Sequence, residues 1–145
     1  MGTPYFTFFQ LESLFISDEN DLFRLRLGRS KVECGSAPDS LRGDSYSSNY
    51  NARNIAKTNH DGMFFSAWDS DNDYFSGNCA EIEKSGWWFN RCSAANLNAP
   101  MWNSSENGIY PPDGVNWQSF SGLQNQSLIE TELSLLPTGA HFSFC

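Results

Sequence analysis

The chain has 145 residues, of which 39% are hydrophobic and 18% charged, with a formal net charge of −8. This length and hydrophobic content bound one globular domain with a modest core and exclude a disordered chain. The acidic balance leaves no basic stripe to neutralise phosphates, which argues against a nucleic-acid partner, and no window approaches the roughly 20 apolar residues of a membrane span.

The opening residues 1–17 lack a basic n-region and are interrupted by Gln10 and Glu12, so they read as a strand and not as a signal peptide. An exported protein without such a leader would be a mature or excised fragment. Leu22, Phe23, Leu25 and Leu27 alternate in part with Arg24 and Arg26, which predicts a half-buried strand. Residues 29–60 are polar and without periodicity, a long surface excursion with a short helix within 49–57. Phe64, Phe65 and Ala67 predict another strand, ending at Trp68. Residues 69–86 read as a loop, and Trp87–Phe89 as buried. Residues 93–127 read mostly as loop, punctuated by Pro100, Pro111-Pro112, Asp113-Gly114 and Gly122. Ile129, Thr131, Leu133 and Leu135 alternate with Glu130, Glu132 and Ser134 and predict a last strand. So much irregular chain calls for ions or disulfides to hold it.

The densest chemistry lies in Trp68–Cys92, WDSDNDYFSGNCAEIEKSGWWFNRC. Asp69, Asp71 and Asp73 repel one another unless a cation sits between them. Calcium takes six to eight oxygens at about 2.3–2.6 Å. Asp71 and Asp73 can offer carboxylates, the carbonyls of Phe75 and Gly77 can close one side, and Gly77 permits a tight curl. An EF-hand register fails. Counted from Asp69, the sixth and twelfth positions are Tyr74 and Ala80; counted from Asp71 they are Ser76 and Ile82. A solvated acidic turn, with aspartates capping the backbone, remains the alternative on spacing alone.

Of Cys34, Cys79, Cys92 and Cys145, the middle two sit in this aromatic, Asp-rich loop and suit a disulfide, with free buried thiols as the rival reading. A zinc site is disfavoured, since there is no CxxC pair and only His60 and His141 could help. Cys34 and Cys145 could pair together, bridge to another chain or stay free. Sequons at Asn103 and Asn125 suit an exported chain but are common by chance. Arg42-Gly43-Asp44 spells an integrin-type tripeptide, also frequent by chance. His60-Asp61 has no nucleophile nearby, so His60 reads as a turn residue. No phosphate loop or nucleophile elbow appears, and the chain is expected not to be an enzyme.

The string HDGMFFSAWDSDNDYFSGNCAEIEKSGWWFNRCSAANLNAP resembles the hallmark of the fibrinogen-related (fibrinogen C-terminal-like) domain, the family of fibrinogen chain ends, ficolins, tachylectins and angiopoietins. The likeness is specific over 61–98, moderate over 22–28 and 108–137, weak over 29–60 and absent from 138–145. It implies an α+β fold with a small antiparallel sheet and a large loop-rich calcium and ligand-binding region. The whole chain, 1–145, would be one partial domain: 1–68 the central sheet region, 69–127 the calcium and pocket region, 128–145 a final strand and tail. The family's N-terminal subdomain, with its own disulfide and Gly-Gly-Gly-Trp-Thr motif, has no counterpart, so the likeness covers roughly the last two-thirds of the domain. An uncovered sheet edge would favour association.

The resemblance further implies calcium on the side chains of Asp71 and Asp73 and the carbonyls of Phe75 and Gly77, a Cys79–Cys92 disulfide, and a cis peptide at Arg91-Cys92. In the family, backbone amides at that peptide help build a pocket beside calcium. It receives acetyl groups in lectin-like members and a peptide amino terminus in fibrinogen. Carried onto this chain, the pocket residues are Glu83, Arg91, Cys92, Ser93, Trp102 and Tyr110. Several depart from the family pattern. Ser93 stands where His is frequent, Pro111 and Pro112 replace aromatic residues, and Asn98-Ala99-Pro100-Met101-Trp102 replaces Asn-Gly-x-Tyr. Glu83 would favour an amine-bearing ligand, or it is a solvated loop charge.

The function expected from this resemblance is a secreted, calcium-dependent recognition module for acetylated sugars or microbial surface glycans in innate-immune pattern recognition, acting as a homo-oligomer. The alternative is a protein-interaction module for a peptide amino terminus or receptor.

Overall fold

The computed structural model describes residues 8–31, 39–43, 52–101, 114–121, 128, 130–135 and 137. Two short strands, β1 (Gln10–Leu11) and β2 (Leu14–Ile16), run antiparallel to β4 (Ser30–Lys31) and β3 (Leu25–Leu27). Gln10 faces Lys31 and Ile16 faces Leu25 in one unbroken register. Hydrogen bonds from Glu12 N to Arg29 O (2.9 Å) and Gly28 N to Ser13 O (2.8 Å) carry the ladder across the gap. The four strands are therefore one interrupted hairpin.

Its turn is built by side-chain capping. Asp18 accepts from Asn20 N at the start of a 3-10 turn at Glu19–Asp21, and Leu22 and Phe23 both take left-handed backbone (φ 52°). The predicted strand thus begins only at Leu25. Leu22 and Phe23 are spent on reversing the chain, a conformation that apolar patterning does not reveal. Arg24 locks the turn through Asp21 (2.9–3.2 Å) and lies 4.1 Å from the centre of the Phe64 ring.

Alternation in β3 works as expected, with Leu25 buried and Arg26 exposed. The far edge of β3 is covered by the segment that leads to the functional region. Leu25 N donates to Met63 O (2.9 Å), Gly62 N to Leu25 O (2.8 Å), and Leu27 N to the Asp61 carboxylate (2.9 Å). All three residues of β2 are exposed, and no described residue pairs with its outer edge.

The helix expected within 49–57 is α1, Ala52–Thr58. The turn at 39–43 holds this helix in place. Asp39 shapes the turn by accepting from Leu41 N (2.9 Å) and Arg42 N (3.2 Å). Gly43 (φ +107°) then lies so close to α1 that a Cβ there would strike the Ile55 carbonyl. The expected strand at 64–67 is reduced to two isolated bridges, Ser66 with Trp87 and Ala67 with Ser70. Residues 69–86 are irregular except for a four-residue helix, α2 (Cys79–Ile82). Beyond it, β5 (Ala95–Asn96) pairs antiparallel with β6 (Asn116–Trp117), which runs directly into α3 (Gln118–Ser121).

The core is assembled around the disulfide: Leu41, Cys79, Ala80, Trp87, Phe89, Ala95 and Trp117 are buried together, flanked by Phe9, Leu11, Leu27, Trp88 and Leu97. The last expected strand is corrected. Among the described residues, 130–135 form no strand and are exposed, Leu133 and Leu135 included. Alternation equips a segment to half-bury itself, but a strand also needs an edge to pair with. Ile129 and Leu136 lie outside the described residues.

Candidate functional site

The frame of the site is a set of buried polar residues that position loops. His60 is fully buried. Its Nε2 accepts the backbone N–H groups of Ala94 (3.1 Å) and Ala95 (3.2 Å), so the proton must sit on Nδ1, which donates to Trp88 O (2.8 Å). One imidazole thereby ties the Trp88 segment to β5. Burial lowers its pKa to about 4, against the raising effects of the Trp88 carbonyl and Asp39, and keeps the ring neutral at pH 7. His60 does open a turn, since its carbonyl accepts from Met63 N (3.1 Å), but its main work is in the core.

Asn90 is the second anchor. Its side-chain amide donates to Ala56 O and Asn59 O (both 2.9 Å), and Arg91 N donates to Lys57 O (2.9 Å). These contacts satisfy carbonyls that the end of α1 would otherwise leave orphaned. They also fix the chain just before the Arg91-Cys92 peptide, which is cis. Asn90 N donates across that corner to Cys92 O (2.9 Å). Cys92 is joined to Cys79 by a disulfide. Sequence reasoning read His60 as a turn residue only and gave Asn90 no role. The His-Asp-Gly-Met string was the available signal, since a histidine beside a Gly turn and among apolar residues needs hydrogen-bond partners once buried.

Beyond the corner, Ser93 Oγ donates to the carboxylate of Glu83 (2.7 and 2.9 Å), and Asn96 Nδ2 donates to Glu83 Oε2 (2.9 Å) and to Ser85 Oγ (2.8 Å). Glu83 is therefore not a loosely solvated loop charge. It is half-buried and held between the end of α2 and β5. Burial raises its pKa, and the hydrogen bonds from Ser93 and Asn96 oppose that rise. Arg91 is exposed at the rim. Gln118 reaches the same corner, its backbone N–H donating to Ala94 O (3.0 Å). The structure thus brings Glu83, Arg91, Cys92 and Ser93 together. Trp102 and Tyr110 lie outside the described residues, as do Cys34, Cys145, Asp44, Pro111 and Pro112.

The acidic loop leads into this corner. Asp73 Oδ1 accepts from Phe75 N (2.8 Å) and Oδ2 from Cys79 N (2.9 Å), while Asp71 Oδ1 accepts from Asp73 N (3.2 Å). Asn78 caps α2 through Glu81 N and grips Trp68 O (3.1 Å). Burial raises the pKa of Asp73; its bonds from Cys79 and Phe75 lower it, and the neighbouring Asp71 carboxylate raises it further. Two facing carboxylates are hard oxygen donors of the kind calcium takes, and among the described residues no backbone N–H donates to the carbonyl of Phe75 or Gly77. Among the described residues no group of three or more His, Cys, Asp or Glu could hold a metal ion, so side chains alone do not complete a site there. The residues fit calcium held by two side chains, main-chain carbonyls and water.

The Arg-Gly-Asp reading of 42–44 loses its first residue. Arg42 pairs with Asp39 (2.6 Å) and donates to Leu27 O (3.0 Å) and Gly28 O, so its guanidinium is committed to the fold.

Residues 5–138 match the family model for the C-terminal globular domain of fibrinogen beta and gamma chains. The chain belongs to the fibrinogen C-terminal domain family. This fibrinogen-family domain is 38% identical to mouse Fibrinogen-like protein 1 over 116 residues, covering 80% of the chain and 34% of that protein. It is 41% identical to the mouse fibrinogen gamma chain over 87 residues, covering 55% of the chain and 19% of the relative. It thus spans about a third or less of the curated relatives it matches. Among solved structures it resembles a lamprey fibrin D-dimer complexed with the peptide Gly-His-Arg-Pro-amide. The TM-score is 0.74 at 31% identity, over 90% of this chain and 40% of the other. It also resembles the fibrinogen-like globe domain of human ANGPTL6, with TM-score 0.59 and 34% identity over 80% of this chain and 43% of that one. The domain accordingly has the fibrinogen-like globular fold, α+β with small antiparallel sheets and long loops. No helix among its described residues is long and apolar enough to cross a membrane.

Proposed function

We propose that this fibrinogen-family domain is an extracellular protein-recognition module that takes the amino terminus of a peptide or protein partner in the cleft beside Arg91-Cys92. The observation that carries this reading is the Glu83–Ser93 pair. A carboxylate that is half-buried and aimed by hydrogen bonds at the first residue after the cis corner attracts a cationic donor more strongly than an exposed one would (2.7–2.9 Å). The fibrin relative complexed with a peptide supports the same ligand class. Relatives that are fibrinogen-like proteins and an angiopoietin-like domain support the broader protein-interaction role. Family membership supports a recognition role over a catalytic one.

Asp71 and Asp73, with the carbonyls of Phe75 and Gly77, would hold calcium. The ion would neutralise the two carboxylates and fix the loop that ends at Cys79, shaping the cleft without touching the ligand. The Cys79–Cys92 bridge supports a secreted location, since disulfides persist in oxidising compartments. Weak single clefts would gain from a homo-oligomer through avidity.

Calorimetric titration of the full chain in calcium with Gly-His-Arg-Pro-amide tests the reading. Binding is expected, and is expected to fall sharply when the peptide's amino group is acetylated or Glu83 is replaced by Gln. Equal binding of the acetylated peptide, or its displacement by N-acetylglucosamine, would overturn the amine reading and favour recognition of acetylated sugars.

A further inference from the structure

Trp68 is 76% exposed, an unusual placement for the largest aromatic side chain. Its backbone is nevertheless fixed. Ala67 and Ser70 exchange two backbone hydrogen bonds (2.9 and 3.0 Å), which makes Trp68 and Asp69 the tip of a tight turn. Asn78 Nδ2 grips the Trp68 carbonyl (3.1 Å), and the preceding Ser66 is paired with Trp87 in the core. The indole is therefore held out from a rigid frame, not left on a loose loop.

Beside it lies a groove of about 310 Å³ lined by Ala67, Trp68, Ala80, Glu81, Lys84, Ser85 and Gly86. That volume is near the lower end of small-ligand sites, about 300–1,000 Å³. Ala67 and Ala80 give the lining apolar surface beside the indole. Neither Glu83 nor Ser93 lines it, so the groove is distinct from the amine site proposed at Arg91-Cys92. The exposed carboxylate of Glu81 lines the groove and supplies a negative field there, within a chain of net charge −8. Lys84 lines the groove too and opposes that field.

We propose that the groove beside Trp68 is a second binding site, which takes the guanidinium of an arginine side chain on a protein partner, stacked on the indole and paired with Glu81. A planar cation suits both surfaces: its face lies on an aromatic ring, and its edge matches a carboxylate. Because the frame is already ordered, little freedom is lost when the cation arrives. This site does not rest on the amine-cleft reading and does not require calcium in the neighbouring loop.

The probe is pyroglutamyl-arginyl-proline amide, which has no free amino terminus and no acetyl group, with its citrulline analogue as the neutral isostere. Binding is followed by NMR through the Trp68 indole N–H, assigned by its loss in Trp68→Phe. The arginine peptide is expected to shift this resonance, and the citrulline analogue to bind about three- to tenfold more weakly. Glu81→Gln is expected to weaken binding several-fold, Lys84→Gln to tighten it, and Glu83→Gln to leave it unchanged. Glu81→Gln and Lys84→Gln are checked for unchanged melting, and Glu83→Gln for a retained fold. Equal binding of the two peptides, indifference to Glu81→Gln, or no shift up to the solubility limit of the arginine peptide would overturn the proposal. Loss of binding in Glu83→Gln alone would also overturn it, by returning the ligand to the other cleft.

Discussion

The buried imidazole of His60 makes domain stability depend on acid in a defined window. Its neutral form is required because Nε2 accepts two backbone N–H groups (3.1 and 3.2 Å), and a proton there would set donor against donor. The folded pKa lies near 4, against 6.5 for the free side chain. The unfolded chain therefore binds more protons between these values, and stability must rise with pH across them. The contribution is complete above pH 6.5 and is lost as pH falls towards 4. At about 1.4 kcal/mol per tenfold, the whole loss is roughly 3 kcal/mol. The assay is urea denaturation of the oxidised domain in chelator at several pH values from 7 to 4.5, alongside His60→Gln. The variant is expected to be less stable at pH 7, because it loses the paired backbone bonds, and the gap is expected to close steadily as the medium is acidified. Other titrating groups cancel in that difference. Parallel curves for the two proteins, or an NMR titration that places the His60 pKa near 6.5, would refute the argument.

Three further outcomes are expected. Glu83 has the opposite sign. Its raised pKa gives a contribution that is fully present below the unfolded carboxyl value and lost as pH rises through the folded one, so Glu83→Gln should gain melting temperature at pH 7 and none near pH 4. That gain, set against lost peptide binding, separates a binding role from a structural one. Calcium at a hundredfold excess over its dissociation constant should add about 2.7 kcal/mol of stability by mass action. Calorimetry should show a melting temperature that falls with chelator in the wild type and is indifferent to it in Asp71→Ala/Asp73→Ala. Asn90→Ala should cost about 2 kcal/mol or more in denaturant titration, since it strips donors from the Ala56 and Asn59 carbonyls (both 2.9 Å); a change below about 0.5 kcal/mol would show that water replaces the amide freely.

Local pattern was enough for the elements whose signal is local. The alternation Leu25–Arg26–Leu27 became β3 with its apolar side inward, and the short helix at 52–58 lies close to the stretch proposed for it. The density of aspartates between Trp68 and Cys79 marked the acidic loop, and the Trp-Trp and Cys pairs marked the core around it. Where sequence reasoning failed, the deciding contact was distant. Alternation in 130–135 found no strand partner among the described residues, and the apolar run Leu14–Ile16, though it forms β2, has all three residues exposed.

Residue type by itself determined that three crowded aspartates, two cysteines and a run of aromatics would have to be reconciled within one short window, because charge repulsion and hydrophobic burial act on the bare chain wherever it folds. Only the tertiary structure decided what each polar group would meet. His60 finds its partners 28 to 35 residues away, Asn90 finds its partners 31 and 34 residues back, and Glu83 turns to Ser93 and Asn96 beyond the disulfide. A buried hydrogen bond depends on the direction and distance of atoms from remote segments, and those are set when the core closes, not by the order of residues along the chain.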